Sequence, residues 1–245
     1  MNLRQKQILQ RAECEGEITI KALADVLGVS EMTIHRDVDV LQKQRYVYKK
    51  RGAVVYIENA DRENTDFYAE EKRLIGIKAA SLISDGQSVI FDNSTTAMEC
   101  ARMLDPSKKY TFYATGLETA AILSKYEKSV LYLSGGYYFP ASRGFVGAQA
   151  EAFVSSLKVD VCIVGASGVS VEDGITTPYP MHTPLQKAII AAANTKILVC
   201  DHSKFDKVAM EKICELGDID VIVTDSEILE DTYQYYHQYV ELIKA

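Results

Sequence analysis

Two groups of residues in this 245-residue chain have the types and spacing to do chemistry. The first is Ser30-Glu31-Met32-Thr33-Ile34-His35-Arg36-Asp37, in which two hydroxyls, an imidazole and a guanidinium are interleaved with Met32 and Ile34. Those polar groups match the hydrogen-bonding edges of bases and the oxygens of phosphates. The second group is scattered but follows one rule. Asn93-Ser94-Thr95-Thr96, Thr115-Gly116, Gly135-Gly136, Gly165-Ala166-Ser167-Gly168 and Asp201-His202-Ser203-Lys204 each follow a short apolar run. Hydroxyls at a helix start add side-chain donors to free backbone N–H groups and the positive end of the helix dipole, which is chemistry for a phosphate. Paired glycines let backbone approach a ligand, and Asp201 with Lys204 offers a carboxylate and an ammonium together. Each loop alone also reads as ordinary capping or turning; their convergence at the ends of apolar runs is what points to a site.

The first group needs a helix to present it. Ser30 is a suitable N-cap, its hydroxyl accepting from an N–H of the first turn. Ile34, Val38 and Leu41 recur at i, i+4 and i+7 and make an apolar stripe, leaving Thr33, His35 and Arg36 off the packed face. Upstream, Ile20–Leu27 reads as a shorter helix with Leu23, Val26 and Leu27 inward, and Gly28-Val29 supplies the turn between the two. Such a pair is either a helix-turn-helix that reads DNA or an αα-hairpin of an ordinary helical domain. The flanks favour the first. Residues 1–57 hold ten Lys and Arg against seven Asp and Glu, a net of +3; since the whole chain is −7, the remainder carries −10. A basic end on an acidic body is expected of a nucleic-acid module. Tyr46-Val47-Tyr48 and Val54-Val55-Tyr56 read as short β segments around Lys49-Lys50-Arg51-Gly52, a hairpin with three cations at its tip, placed for phosphates beside the groove. The DNA-binding candidates are therefore Ser30, Thr33, His35, Arg36, Lys49, Lys50 and Arg51.

The stretch Leu3 to Val54 resembles the winged helix-turn-helix of the DeoR family of bacterial repressors. The resemblance is carried by Arg4, Ile8, Leu23-Ala24-Asp25, Leu27-Gly28-Val29-Ser30 and Thr33-Ile34-His35-Arg36-Asp37. Three positions depart from the family pattern. His35 stands where Arg is usual, Arg45 replaces a Gly after the recognition helix, and Arg51-Gly52-Ala53 replaces a His-Gly-Gly run.

Length favours two domains, expected as residues 1–57, a polar linker at 58–66, and residues 67–245. No run approaches eighteen consecutive apolar residues, so no membrane-spanning helix is expected. Met1-Asn2-Leu3-Arg4-Gln5-Lys6 has no apolar core of a secretory signal. Cys14, Cys100, Cys162, Cys200 and Cys214 are odd in number, dispersed, and lack a C-x-x-C pair; the expectation is a reducing cytoplasm, with neither disulfide framework nor metal site nor cofactor.

From Phe67 onward, apolar runs alternate with helical patterns. Strands are expected at Ser88–Phe91, Tyr110–Tyr113, Val130–Leu133, Val159–Val164, Lys196–Cys200, Val221–Val223 and, weakly, Val240–Ile243. Helices are expected at Glu70–Ile83, Thr95–Leu104, Leu117–Tyr126, Gln149–Leu157, Leu185–Ala193 and Glu227–Tyr239, with Tyr233, Tyr235, Tyr236 and Tyr239 as a packing face. This pattern predicts an α/β fold with a doubly wound, mostly parallel sheet, in which ligands bind beyond the C-terminal ends of strands. The candidate ligand residues there are Asn93, Ser94, Thr95, Thr96, Thr115, Gly135, Asp201 and Lys204. This half also resembles the DeoR-family sensor domain, whose fold is related to ribose-5-phosphate isomerase. The carriers are Ser94-Thr95-Thr96, Gly135-Gly136, Asp173-Gly174-Ile175-Thr176, Lys187 and Asp201-His202-Ser203-Lys204-Phe205. It departs at Ser94, usually Gly, at Thr115-Gly116, usually Thr-Asn, and at Met181-His182-Thr183-Pro184, which lacks the family's acidic residue before the lysine. The resemblance implies a phosphorylated sugar or polyol as effector and adds Lys187 to the candidates.

The expected function is a DNA-binding repressor of carbohydrate-metabolism genes whose operator affinity is set by that effector. Its partners would be operator DNA and further copies of itself, a dimer or higher, with no membrane. The alternative is a phosphosugar isomerase carrying a DNA-binding domain: isomerisation through an enediol needs a carboxylate base and a cation near the developing oxyanion, and Asp92, Asp201, Lys187 and Lys204 are the groups for it. An architectural DNA binder would have no use for the strand-end loops.

Overall fold

The structure, a computed structural model of the chain, describes residues 2–43, 46–57 and 68–245. The chain divides into two compact units, Met1–Phe67 and Tyr68–Ala245. Arg45 and the expected linker at 58–66 lie outside the described residues.

The first unit runs α1 (Leu3–Glu15), β1 (Glu17–Thr19), α2 (Ile20–Leu27), α3 (Glu31–Lys43), β2 (Val47–Lys50) and β3 (Ala53–Tyr56). Asn2 starts α1 reciprocally with Gln5: the Asn2 side chain accepts from the Gln5 N–H at 2.8 Å, and the Asn2 N–H donates to Gln5 Oε1 at 2.9 Å. Ile8, Leu23, Ile34, Val38, Leu41, Val47 and Val54 are fully buried and form one core from three helices and the wing. The stripe Ile34–Val38–Leu41 therefore faces inward as its spacing predicts. Val26 does not; it is 53% exposed. The buried face of α2 is set by Ile20, Leu23 and Ala24, spaced i, i+3, i+4, and Val26 falls off that face. The wing is a three-stranded antiparallel sheet in the order β1-β3-β2. Its first strand was not evident as a strand because three residues carry too short a pattern to read. In the register, Ile18 pairs with Val54, and Lys50 with Ala53. The Lys50–Ala53 pair leaves a two-residue loop with Arg51 at φ 40° and Gly52 at φ 84°, the positive pair that suits the twist of a hairpin and for which Gly is favoured.

The second unit contains α4 (Ala69–Ser81), β4 (Ser88–Phe91), α5 (Thr95–Met103), β5 (Thr111–Ala114), α6 (Leu117–Leu123), β6 (Val130–Leu133), β7 (Tyr137–Phe139), β8 (Gly144–Val146), α7 (Ala148–Ser155) and β9 (Val159–Val164). It continues with β10 (Gly168–Ser170), β11 (Gly174–Thr177), α8 (Thr183–Ala192), β12 (Ala193–Val199), β13 (Glu211–Cys214), β14 (Val221–Thr224), α9 (Glu230–Tyr236) and β15 (Glu241–Lys244). Seven strands form one parallel sheet in the order β15-β14-β12-β9-β4-β5-β6. Central strands are apolar throughout because both faces are covered. Residues of α4, α5 and α6 pack on one face, around Ile75, Cys100 and Leu123. Residues of α7, α8 and α9 pack on the other, around Val154, Ile189 and Tyr236. The expected doubly wound sheet is present, including the weak last strand. Two additions escape the apolar-run pattern: the β7–β8 hairpin, and a small antiparallel sheet β10-β11-β13. The C-terminal helix is shorter than expected, so Tyr239 falls beyond its end; Tyr236 is buried while Tyr235 and Tyr239 are exposed.

Candidate nucleic-acid interface and strand-end crevice

In the first unit, Ser30 Oγ accepts from the Thr33 N–H at 3.3 Å and lies 2.9 Å from Thr33 Oγ1. Ser30 thus caps α3, and Thr33 is held at the start of the exposed side. Arg36 is exposed, His35 half-buried and Met32 exposed, all clear of the buried stripe. Asp37, the next residue, turns inward and is 5% exposed. It accepts from Arg4, from Gln5 Nε2 at 3.0 Å and from Asn2 Nδ2 at 3.4 Å. Burial pushes its carboxyl up, but these hydrogen bonds and the Arg4 charge outweigh burial and leave it below the usual carboxylate range. Arg4 and Asp37, two of the residues that carry the family resemblance, therefore form a clamp that sets α3 on α1.

The three wing cations are not equivalent. Lys49 is ion-paired with Asp39 of α3, and its N–H donates to Gln42 Oε1 at 3.0 Å. Lys50 lies 3.4 Å from Glu17 of β1. Arg51, at the turn, is exposed and forms no ion pair among the described residues. Any other anion that meets these two lysines must therefore exchange for a carboxylate already beside them.

In the second unit the strand order reverses at β4: the chain passes from β4 to β5 on one side, while β9 lies on the other. That is a topological switch point, where loops leave in opposite directions and open a crevice. Asp92 stands there, completely buried. Its Oδ1 accepts the Ser94 N–H and its Oδ2 the Gly165 N–H, each at 2.8 Å, tying the ends of β4 and β9 together. Burial pushes the Asp92 carboxyl above its ordinary value against those hydrogen bonds. Ser94 Oγ caps α5 by accepting from the Ala97 N–H at 3.2 Å, Thr95 is half-buried and Thr96 buried. Asn93 Nδ2 donates to the Ser142 carbonyl at the tip of the β7–β8 hairpin.

The neighbouring strand ends close around this point. Thr115 is buried, its Oγ1 3.4 Å from the Phe91 carbonyl, and its own carbonyl accepts the Phe145 N–H at 2.8 Å. Ser142 Oγ lies 2.5 Å from His182 Nε2, and desolvation lowers His182 to a pKa of about 4, so the imidazole is neutral near pH 7. At the end of β12, Asp201 is fully buried. Its Oδ1 accepts from the Ser203 N–H at 3.0 Å and from the Ser203 hydroxyl, while Oδ2 has no hydrogen-bond partner among the described residues. His202 Nδ1 lies 2.8 Å from Asp225 Oδ1, and that bond raises the His202 pKa against burial. Lys204 is half-buried one turn away.

Asn93, Ser94, Thr95, Thr96 and Thr115 are thus brought together, with Asp201 and Lys204 at the end of a further strand of the same sheet edge. Two candidates stand differently. Gly135 is exposed, and an added Cβ there would meet nothing within 4 Å. Lys187 is exposed on α8, near enough to Cys214 of β13 to be felt there, and makes no hydrogen bond or ion pair among the described residues. Sequence reasoning did not single out Ser142, whose contact needs the hairpin to fold back. The signal for it was the aromatic run Tyr137-Tyr138-Phe139, a Pro-Ala-Ser-Arg stretch and then Gly144-Phe145-Val146, the pattern of two short strands about a turn. No group of three or more metal-ligating side chains occurs among the described residues, and none of their helices is long and apolar enough to cross a membrane.

A winged helix-turn-helix with an exposed recognition face, carried in one chain with a doubly wound α/β unit, defines a two-domain DNA-binding regulator. Its family follows from comparison with known proteins. Residues 4–60 match the DeoR-like helix-turn-helix domain and residues 68–226 the DeoR C-terminal sensor domain, and the chain belongs to the DeoR family of transcriptional regulators. It is 30% identical to the transcriptional repressor AccR of Agrobacterium fabrum, over 91% of this chain and 89% of that one. It is 31% identical to the repressor GlcR of Bacillus subtilis, over 89% and 86%. A putative aga operon transcriptional repressor of Escherichia coli is 28% identical over 94% and 88%. Among solved structures, ribose-5-phosphate isomerase A of Methanocaldococcus jannaschii aligns at TM-score 0.43 and 18% identity, over 57% of this chain and 55% of that one, a likeness too slight to bear on function.

Proposed function

We propose that this protein represses carbohydrate-metabolism genes and releases its operator when a phosphorylated sugar or polyol occupies the crevice at the β4–β9 switch point. The observation that carries the reading is the start of α5. A capped helix N-terminus, with Thr95 half-buried on it, opens at the crevice where a doubly wound sheet binds ligands. Asp201 Oδ2, buried without a partner among the described residues, is a natural acceptor for a ligand hydroxyl, and Lys204 adds positive charge. Ser30, Thr33, His35 and Arg36 read bases or adjacent phosphates, and Lys49, Lys50 and Arg51 hold the DNA backbone. One recognition helix covers too few base pairs for an operator, so the DNA-bound form is at least a dimer.

Catalysis is not part of this reading. Both oxygens of Asp92 already accept backbone N–H groups, whereas Asp201 keeps Oδ2 without a partner among the described residues, so Asp201 is the carboxylate on which turnover would depend. The deciding experiment is Thr95→Asp, which places negative charge where the phosphate sits. The variant is expected to bind operator normally and to release it with no sugar phosphate; an unaltered induction curve would place the effector elsewhere. Conversion of the effector during release would restore the isomerase reading.

A further inference from the structure

We propose that the first turn of α8 and the tip of the β7–β8 hairpin form an uncharged, hydroxyl-binding end of the same crevice, selective for neutral sugar or polyol chains over amino sugars. The inference rests on the crevice being a sugar-phosphate site and names which sugars it admits.

The two elements meet tightly. A Cβ at Gly144 would stand 2.7 Å from His182 Cε1 and 2.8 Å from Asn93 Cγ, so only a residue without a side chain lets the hairpin lie over the end of β4 and the start of α8. Ser142 then reaches His182 at 2.5 Å and takes the Asn93 amide on its carbonyl. With Asn93 Nδ2 committed to that carbonyl, its Oδ1 is the free face of the amide. The same turn of α8 carries Thr183 and Gln186, 5% and 8% exposed. Thr183 Oγ1 and Gln186 Oε1 are buried without a hydrogen-bond partner among the described residues. Buried polar atoms are nearly always paired in native proteins, and two such atoms on one helical turn point to a group that arrives from outside. A hydroxyl suits them, because it donates to an amide oxygen and either donates to or accepts from a threonine.

Charge decides against an ammonium. His182 responds to burial alone, with no carboxylate acting on it. The acids of the crevice lie elsewhere: Asp92 ties β4 to β9, Glu118 pairs with Arg143 at 3.1 Å, Asp201 lies at the end of β12, and none of them acts on His182. An ammonium placed here would lose its water without gaining a counter-charge, which is strongly unfavourable.

The test measures binding of the purified full-length protein to inorganic phosphate and to two matched pairs, glucose with glucosamine 6-phosphate and galactose with galactosamine 6-phosphate. The expected result is at least tenfold tighter binding of the neutral member of whichever pair binds. Gln186→Glu, nearly isosteric, should narrow or reverse that preference, and Thr183→Val should weaken the sugar phosphates while leaving inorganic phosphate unchanged. Equal or inverted preference in the unaltered protein overturns the inference, as does unchanged discrimination in both variants. Binding of phosphate without discrimination defeats this inference alone; absence of binding by every probe defeats the sugar-phosphate reading and this one with it. Should Gln186→Glu fail to fold, the unaltered protein and Thr183→Val still decide the matter.

Discussion

Arg36 and Asp37 are adjacent in sequence and opposite in role. Arg36 is exposed on α3, while Asp37 is buried against Arg4, Gln5 and Asn2. Arg36→Ala is therefore expected to weaken operator binding by about 1–3 kcal/mol and to leave the melting temperature unchanged; unaltered operator affinity would remove Arg36 from the interface. Asp37→Ala should do the reverse, destabilising the first unit by about 2 kcal/mol through lost hydrogen bonds to a charged group. The sign of its pH dependence follows from its lowered pKa. The Asp37 contribution is complete above the ordinary value near 3.8 and disappears as pH falls through the lower folded value. Acid melting of Asp37→Asn should accordingly be flatter than that of the parent below about pH 4, and identical acid profiles would show that Asp37 carries none of this stability.

At the scale of elements, the wing makes an experimentally separable prediction. If Lys49, Lys50 and Arg51 meet phosphates, each neutralisation lowers the slope of log affinity against log salt by roughly 0.9. The pairs Lys49–Asp39 and Lys50–Glu17 refine this: the lysines exchange one anion for another, whereas Arg51 has no ion-pair partner to displace among the described residues. Asp39→Asn should therefore tighten binding to random DNA while leaving sequence preference intact. Salt titrations on operator and random duplexes measure both effects; a slope unmoved by triple neutralisation would exclude phosphate contact by the wing.

For the whole molecule, an effector acts only through a difference in its affinity for DNA-competent and DNA-incompetent states. A ten- to hundredfold change in operator affinity needs about 1.4–2.8 kcal/mol of coupling, and linkage makes it reciprocal. Operator DNA should weaken sugar-phosphate binding by the same factor, which calorimetry with and without saturating duplex reads directly. Effector affinity indifferent to DNA would mean that the crevice does not regulate the helix-turn-helix.

Much of this molecule is legible in its sequence, for local reasons. The period of Ile34, Val38 and Leu41, the Ser30 cap and the Gly52 turn are properties of neighbouring residues, so the recognition helix and wing loop could be placed without tertiary information. The apolar runs at Ser88–Phe91 and Val159–Val164 are equally local, because a strand buried on both faces needs no alternation. Other features depend on residues far apart in the chain. Val26 faces solvent because Ile20, Leu23 and Ala24 define the packed face of α2. Lys49 and Lys50 lose their apparent freedom to Asp39 and Glu17, one on a helix and one on a three-residue strand that gains its definition from pairing with β3. The meeting of Asn93, Ser142 and His182 depends on a hairpin folding back over strand ends 49 residues away. Residue types and periodicity determined which elements form and which loops carry polar groups; only tertiary packing decided which of those groups are already paired and which are left for a ligand or DNA, because pairing depends on distance in space and not along the chain.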